Sequence, residues 1–316
     1  MSSLLTQLQR YLRQTNRPRQ FLQPRQYAEK QGFANPETVR HAEAELLESP
    51  FRGIPGGKPQ PSPFNYFLDG IQRSWLLYYT EGVPVYYGYT AAVIRKRTDR
   101  VLTTWQYQAQ EALYLPLSLC AEGELMAGIP LIDTLAGLAE IPPDLTKLAR
   151  DKISSDRQQL EVQLAEKWIE AQSPGWLVID GSITGAATIA NHDRVVGIIK
   201  THNTQFFGWQ EQQIVHHLQA GERSSTFCPS SRYPVRSWYL RLRAGKGDDI
   251  HFGLVRLETA VNCAASPDQI SSWLLDESRP LALPDTRWDR MIYPIRDCEM
   301  YLRSQEPHPA NFGWLF

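Results

Sequence analysis

The 316-residue sequence has few cysteines, no long hydrophobic run and almost no net charge. Its four cysteines lie far apart without a CxxC pair, which argues against a disulfide framework and against a zinc site. No apolar stretch approaches the roughly 18 residues of a membrane-spanning helix, and polar residues interrupt the N-terminal segment where a signal peptide needs a continuous apolar core. We therefore expect a cytoplasmic protein without membrane association.

The balance of charge and the apolar content limit the classes of protein to which the chain can belong. Thirty-three basic residues face 34 acidic ones, so a globally basic nucleic-acid binder is excluded, whereas local basic clusters are not. The apolar share of 42% is ordinary for a globular protein and allows a sizeable core.

The most informative feature is an apolar run that stops on Asp-Gly and occurs twice. The runs are Phe64-Asn65-Tyr66-Phe67-Leu68-Asp69-Gly70 and Gly175-Trp176-Leu177-Val178-Ile179-Asp180-Gly181-Ser182. Each predicts a buried strand with an aspartate at its end, and the glycine lets the backbone turn away. Two such strands side by side would hold Asp69 and Asp180 roughly 5 Å apart, and a hard divalent cation can bridge that separation.

Asp-Gly between apolar runs is also the strongest short signal for a β-hairpin. After Asp69, however, the next convincing strand begins only near Val83, whereas a two-residue hairpin would resume its strand at once. The recurrence of the motif and the long gap before the next strand favour a site with two aspartates. A hairpin is the alternative.

The chain divides at a proline- and glycine-rich stretch, residues 50–63. Residues 1–50 are predicted to form N-terminal helices, the second over residues 36–47, and residues 64–316 to form one domain with a helical insertion at about 107–150. Within that domain the patterns predict strands at 64–68, 83–89, 90–96, 176–180, 194–200, 236–243 and 251–258, and helices at 152–171, 267–276 and 296–304.

Acidic residues lie on several of these predicted strands and helices. Asp69 belongs to an early strand, Glu161 to the long helix and Asp180 to a later strand, while a terminal helix carries Asp297 and Glu299. Carboxylates in this order are the arrangement of the RNase H-like nuclease fold, an α/β fold with a mixed sheet flanked by helices. Two Mg²⁺ or Mn²⁺ ions held by such carboxylates activate a water and neutralise the leaving oxygen in phosphodiester cleavage.

Helical phase separates Glu161 from its neighbour Glu166. Leu160, Leu164 and Trp168 mark the buried stripe of the helix, which Glu161 borders, while Glu166 lies roughly 200° from Leu164 at about 100° per residue. Glu161 is therefore predicted to face the site and Glu166 to face solvent. A surface position remains the alternative for either glutamate.

The chain resembles the NurA nucleases. The resembling segments are 67–70, 176–182, Val195-Val196-Gly197-Ile198-Ile199-Lys200, Phe252-Gly253-Leu254-Val255-Arg256-Leu257-Glu258 and Tyr293-Pro294-Ile295-Arg296-Asp297, in that order. The resemblance implies an RNase H-like fold, Mn²⁺-dependent exonuclease and endonuclease activity on DNA, a homodimer, and work with the hexameric ATPase HerA in DNA end resection.

By position, Asp69, Asp180 and Glu161 match the family's metal-binding acids. The family usually has a histidine after the Tyr-Pro segment, where this chain has Asp297, Cys298 and Glu299. Asp297 or Glu299 is therefore a candidate for the last catalytic acid. This departure also motivates an alternative, a non-catalytic or weakly active protein that binds DNA or docks an ATPase.

Basic residues supply the candidate DNA contacts. Lys200 ends a strand near the predicted site and Arg73 follows Asp69 closely, while Arg241 and Arg243 share one face of a strand. These positions suit a basic groove wall, although ordinary strand amphipathicity gives the same alternation. The residues do not distinguish DNA from RNA, and an RNA-cleaving nuclease of the same fold remains open. The apolar tail at 311–316 is expected to pack against its own domain or a partner.

Overall fold

The computed structural model describes residues 4–15, 19–21, 40–120, 128–244, 249–278 and 287–308, and the apolar tail lies outside them. The helices are α1 Leu4–Gln14, α2 Leu145–Glu170, α3 Ala187–Ala190, α4 Trp209–His216, α5 Pro267–Glu277 and α6 Tyr293–Gln305. The strands are β1 Arg19–Phe21, β2 Arg40–His41, β3 Ala44–Leu46, β4 Gly53–Pro55, β5 Phe64–Thr80, β6 Val83–Thr98, β7 Val101–Leu115, β8 Leu131–Asp133, β9 Trp176–Asp180, β10 Val195–Ile199, β11 Thr204–Gln205, β12 Glu222–Ser224, β13 Phe227–Pro229, β14 Val235–Arg241 and β15 Leu254–Ala260.

Three long antiparallel strands, β5, β6 and β7, form one half of the central sheet. The strands are rich in tyrosine, valine and threonine, which pack well on a pleated, half-buried surface. Two-residue turns connect them, Glu81-Gly82 and Asp99-Arg100, and all four turn residues have positive φ. That backbone shape is typical of type I′ turns, whose twist matches the twist of the flanking strands.

Strands β9 and β10 extend the sheet beyond β5. Helix α2 connects β7 and β8 to β9, which lies parallel to β5, and β10 lies parallel to β9. In the order β7-β6-β5-β9-β10 only β6 runs against the others. This is the RNase H-like topology, so the predicted fold class is confirmed. Beyond β10, β15 and β14 continue the sheet in antiparallel fashion.

Helices cover both faces of the sheet. The apolar stripe of α2, formed by Leu160, Leu164 and Trp168, is buried against one face. Helix α6 packs on the opposite face through Ile295 and Leu302. Each such side chain contributes about 1.5–3 kcal/mol through removal from water. The two helices therefore bracket the strands on which the predicted aspartates lie.

Three details of the sequence prediction are wrong. Residues 36–47 were expected to be helical, yet residues 40–41 and 44–46 form β2 and β3. Residues 107–115, expected to start a helical insertion, belong to β7, and the next α-helix in the described part of the chain begins at Leu145. In both segments the residues favour helix intrinsically, and pairing with neighbouring strands overrides that propensity.

The third error concerns the first Asp-Gly pair, which does not end a strand. Asp69 and Gly70 pair with Val93 and Ala92 of β6 in the middle of β5. A Cβ atom at position 70 would collide with the Glu161 carboxylate. The glycine therefore permits a close approach of helix and strand, a known use of glycine within strands.

The N-terminal segment contributes to the same sheet. Strand β1 pairs with β5, β3 with β13, and β4 with β12. Helix α1, the first of the helices predicted for residues 1–50, is confirmed. The predicted division into residues 1–50 and 64–316 stays a prediction. Among the described residues, no helix combines the length and apolar character needed to cross a membrane.

Candidate active site

Asp69 and Asp180 lie side by side on parallel strands. Leu68 pairs with Ile179, so the next residue on each strand is an aspartate. Because side chains alternate between the faces of a sheet, both aspartates project from the face opposite α2. The Asp69 side chain is buried, whereas Asp180 keeps contact with solvent. Gly181, with φ of +137°, turns the chain away after Asp180.

Lys200 adds a positive charge to this pair. It follows β10, the neighbour of β9, and its Nζ donates to Asp180 Oδ2 at 2.8 Å. The same ammonium contacts Met291 Sδ at 3.3 Å, and the residue is only 9% exposed. A buried lysine needs a charged partner because burial disfavours its ammonium, and Asp180 provides one.

The electrostatics of Asp69 reflect a crowded anionic site. Burial, followed by the Asp180 carboxylate, raises the pKa of Asp69 well above its ordinary value, and Lys200 lowers it only in part. Glu161 and Glu299 raise it further. Such perturbed carboxyls cluster at functional sites. An added cation beside Asp69 would favour its charged form.

Glu161 approaches from the α2 side of the sheet, against Gly70. It forms an ion pair with Arg157, whose Nε donates to Gln72 Oε1 at 3.2 Å. Glu161 lines a small cleft that also contains Asp180. Glu166 instead accepts a hydrogen bond of 2.8 Å from Thr188 at the surface. Helical phase therefore places the two glutamates as predicted, while the role of Glu161 stays a prediction.

Asp297 and Glu299 point to different places. Asp297 pairs with Arg95 at 2.6 Å and does not line the cleft described below. Glu299 lines the cleft but is held by three arginines, Arg287, Arg296 and Arg303. Burial raises the pKa of Glu299, yet these arginines outweigh burial and leave the pKa below its ordinary value.

Asp69 and Asp180 line a cleft of about 730 Å³. Five basic side chains line it, together with the carboxylates of Asp69, Asp180 and Glu299; they are Arg157, Lys200, Arg256, Arg287 and Arg290. Clustered arginines and lysines beside carboxylates give a site that attracts phosphate groups while it can hold a cation.

Two arginines of the cleft, Arg256 and Arg290, are not among the DNA contacts predicted from the sequence. On β15, the charged Arg256 and Glu258 alternate with the apolar Val255 and Leu257. This alternation is a sequence signal that could have identified Arg256 as a residue of the site. Arg290 comes close to the site through a three-residue 3₁₀ helix, Trp288–Arg290, and donates to the Lys200 carbonyl at 3.4 Å. No local pattern marks Arg290.

The other predicted DNA contacts lie in unfavourable places. Arg241 is buried and donates to backbone carbonyls, those of His216 at 2.8 Å and Ile250 at 3.0 Å among them. Arg243 is buried as well and donates to the Trp288 carbonyl at 3.1 Å. This burial contradicts a groove wall made of these two arginines. Arg73 pairs with Glu306 at 2.7 Å, outside the lining of the cleft.

The residues present fit a divalent cation in part. Within the described ranges, no group of three or more His, Cys, Asp or Glu side chains is arranged as a finished metal centre. Asp69 and Asp180 offer oxygen ligands on one face, and their mutual repulsion favours a bound cation. Glu161 would join them only if its ion pair with Arg157 opened.

No protein-family profile matches the chain, and no curated protein matches it either. Two solved structures of nucleases match the chain at low similarity. The NurA nuclease from Sulfolobus solfataricus has 12% identity and a TM-score of 0.45, with 78% of this chain and 81% of that chain covered. The catalytic domain of human endonuclease V has 12% identity and a TM-score of 0.33, with 84% and 88% covered.

Proposed function

We propose that this protein is a divalent-metal-dependent nuclease that hydrolyses phosphodiester bonds of DNA. The observation that carries the proposal is the pair Asp69 and Asp180, adjacent on one face of an RNase H-like sheet and opening into a basic cleft. Carboxylates provide ligands for Mn²⁺ or Mg²⁺, and the arginines provide donors for phosphate oxygens. The cation and the donors together would serve metal-assisted hydrolysis of a phosphodiester.

The chain's own residues divide this work. Asp69 and Asp180 would hold the cation, which when bound supplies an activated water and neutralises the leaving oxygen. Arg256 and Arg290 would bind the phosphates that flank the scissile bond, since both line the cleft beside Lys200. Once Lys200 leaves Asp180, its ammonium is free to contact the phosphate as a point charge.

Further features of the proposal come from the resemblance to NurA nucleases. They are exonuclease and endonuclease activity, a homodimer, and a HerA-like hexameric ATPase as partner in processing DNA ends. The segments that carry the resemblance include Asp69 and Asp180, and they also include Arg256 and Glu258 of β15. RNA is the alternative substrate, because carboxylate-bound cations and arginines act on the phosphates of either nucleic acid.

The experiment is a cleavage assay on end-labelled single-stranded and duplex DNA with Mn²⁺, Mg²⁺ or EDTA. Asp69→Asn and Asp180→Asn should each lower the rate at least 100-fold without loss of fold. Asp151→Asn is the matched control, since this exposed aspartate of α2 lies away from the cleft. If the wild type is inactive with both metals, or if both variants cleave at its rate, the proposal is wrong.

A specific observation favours a second candidate, a non-catalytic binding protein of the same fold. Lys200 already neutralises Asp180, and arginines hold Glu161 and Glu299, so much of the acidic charge is paired without a metal. Calorimetric titration with Mn²⁺ separates the two candidates. Stoichiometric binding that disappears in Asp180→Asn supports the nuclease, whereas DNA binding without any metal uptake supports the non-catalytic protein.

A further inference from the structure

A second depression, the side pocket, opens beside the cleft. It has a volume of about 300 Å³ and is defined here by Arg40, Ser182, Thr184, Thr204, Phe206 and Arg256. Three of these residues, Ser182, Thr204 and Arg256, line the cleft as well. Ser182 is two residues from Asp180, so their Cα atoms are at most about 7 Å apart. The side pocket is thus continuous with the reaction centre proposed above.

A buried carboxylate fixes the wall between the two spaces. Glu258 is 2% exposed, and its Oε2 accepts hydrogen bonds from Ser182 Oγ at 2.7 Å and from the Ile183 amide at 3.0 Å. Its Oε1 pairs with Arg256 at 2.6 Å. The guanidinium of Arg256 also lies over the Phe206 ring, 5.1 Å from its centroid. These contacts hold the wall and its arginine in place before any ligand arrives.

The lining of the side pocket suits a sugar-phosphate group. Three hydroxyl-bearing residues line it: Thr204 of β11, and Ser182 and Thr184 in the loop after β9. At its outer rim Arg40 is exposed and has no carboxylate partner among the described residues. The backbone amide of Arg40 donates to the Asn203 carbonyl at 2.8 Å, which ties this arginine to the segment that follows Lys200. An exposed arginine beside a pocket lined by serine and threonine is suited to a phosphate.

We propose that the side pocket binds the nucleotide next to the scissile phosphate, in a single strand of the substrate, with Arg40 on that nucleotide's phosphate. The proposal rests on the nuclease function proposed above and adds the form of the substrate. A volume of about 300 Å³ is at the small end of ligand pockets, which span about 300–1,000 Å³. A pocket of this size suits one nucleotide, so we propose a single strand as the form of substrate that it takes.

Two substrates separate this subsite from the reaction centre. Thymidine 5′-(4-nitrophenyl phosphate) carries no neighbouring nucleotide, whereas an eight-residue single-stranded oligothymidylate does. Arg40→Gln should lower kcat/KM for the oligonucleotide about tenfold, the effect of one charge-assisted hydrogen bond. The loss on the small diester should be at least fivefold smaller.

Binding adds a second readout. With the fluorescein-labelled oligonucleotide and EDTA, the slope of log Kobs against log[salt] should become less negative by about 0.7 in Arg40→Gln, the value for one phosphate contact on a single strand. Arg52→Gln is the matched control, an exposed arginine on the same N-terminal segment outside both spaces. Arg52→Gln should leave the salt slope and the ratio of kcat/KM for the two substrates as in the wild type.

The outcomes are distinct. If the wild type cleaves both substrates but Arg40→Gln changes neither the salt slope nor the substrate ratio, the subsite is overturned and the nuclease stands. Equal losses on both substrates overturn it too. If the wild type neither binds nor cleaves either substrate, the proposed function fails, and the subsite fails with it.

Discussion

Replacing Lys200 with methionine tests how charge is balanced at the site. The change removes the ammonium that lies 2.8 Å from Asp180 Oδ2 and leaves two adjacent carboxylates without it. Breaking a buried ion pair costs about 3–5 kcal/mol. Here Asp180 keeps 19% of its side chain exposed, so solvent screens part of the repulsion between the two carboxylates. We therefore expect a smaller loss, about 1–3 kcal/mol, at neutral pH in EDTA.

A bound cation should reverse this loss. A ligand present at 100 times its Kd stabilises the folded state by about 2.7 kcal/mol. In the wild type part of that gain is offset by displacing Lys200 from Asp180, whereas Lys200→Met has no ammonium to displace. Mn²⁺ should therefore stabilise the variant more than the wild type and bring the two unfolding midpoints together.

The assay is urea unfolding followed by circular dichroism, in EDTA and in Mn²⁺. Lys147→Met, at an exposed lysine near the start of α2, is the control and should behave as the wild type in both conditions. Two results would refute the reasoning. One is a Lys200→Met variant as stable as the wild type in EDTA, and the other is an equal gain from Mn²⁺ in both proteins.

Two further predictions concern α2 and a buried histidine. Glu161→Ala should lower nuclease activity strongly and Glu166→Ala only slightly, because Glu161 lines the small cleft that contains Asp180 and Glu166 bonds Thr188 at the surface; equal rates in a DNA cleavage assay would overturn this. Burial lowers the pKa of His202 to about 3, so between about pH 6.5 and 3 the unfolded chain binds a proton that the folded protein does not. The free energy of unfolding should therefore fall as pH falls through that range, by up to about 1.4 kcal/mol per pH unit from this group. His202→Asn should flatten the slope of urea midpoints against pH. An unchanged slope would contradict a lowered pKa of His202.

The sequence predicts the RNase H-like order of elements because the signals for it are local. Strand β9 ends at Asp180, where Gly181 adopts a positive φ, and this is the behaviour expected of Asp-Gly after an apolar run. The buried stripe of α2 follows from leucine and tryptophan at helical spacing, and it also separates Glu161 from Glu166.

What the sequence does not predict depends on distant partners. Asp-Gly at Asp69 has the same appearance as at Asp180, yet β5 continues for 11 residues past Asp69 because β6 pairs with it throughout. One of the arginines that pair with Glu299 is Arg287, which lies 12 residues away in the chain. Glu161 forms an ion pair with Arg157. Arg241 alternates like a surface residue but donates to backbone carbonyls of two other segments, residues 215–218 and 250–252, which no strand pattern records.

The measurement that tests the central claim most directly is a crystal structure of the protein soaked in Mn²⁺, with diffraction data collected at the manganese absorption edge. The account predicts an anomalous difference peak in contact with the carboxylates of both Asp69 and Asp180, and Lys200 Nζ moved away from its 2.8 Å contact with Asp180. A map without a peak at either aspartate at saturating Mn²⁺, with Lys200 still paired, would contradict it.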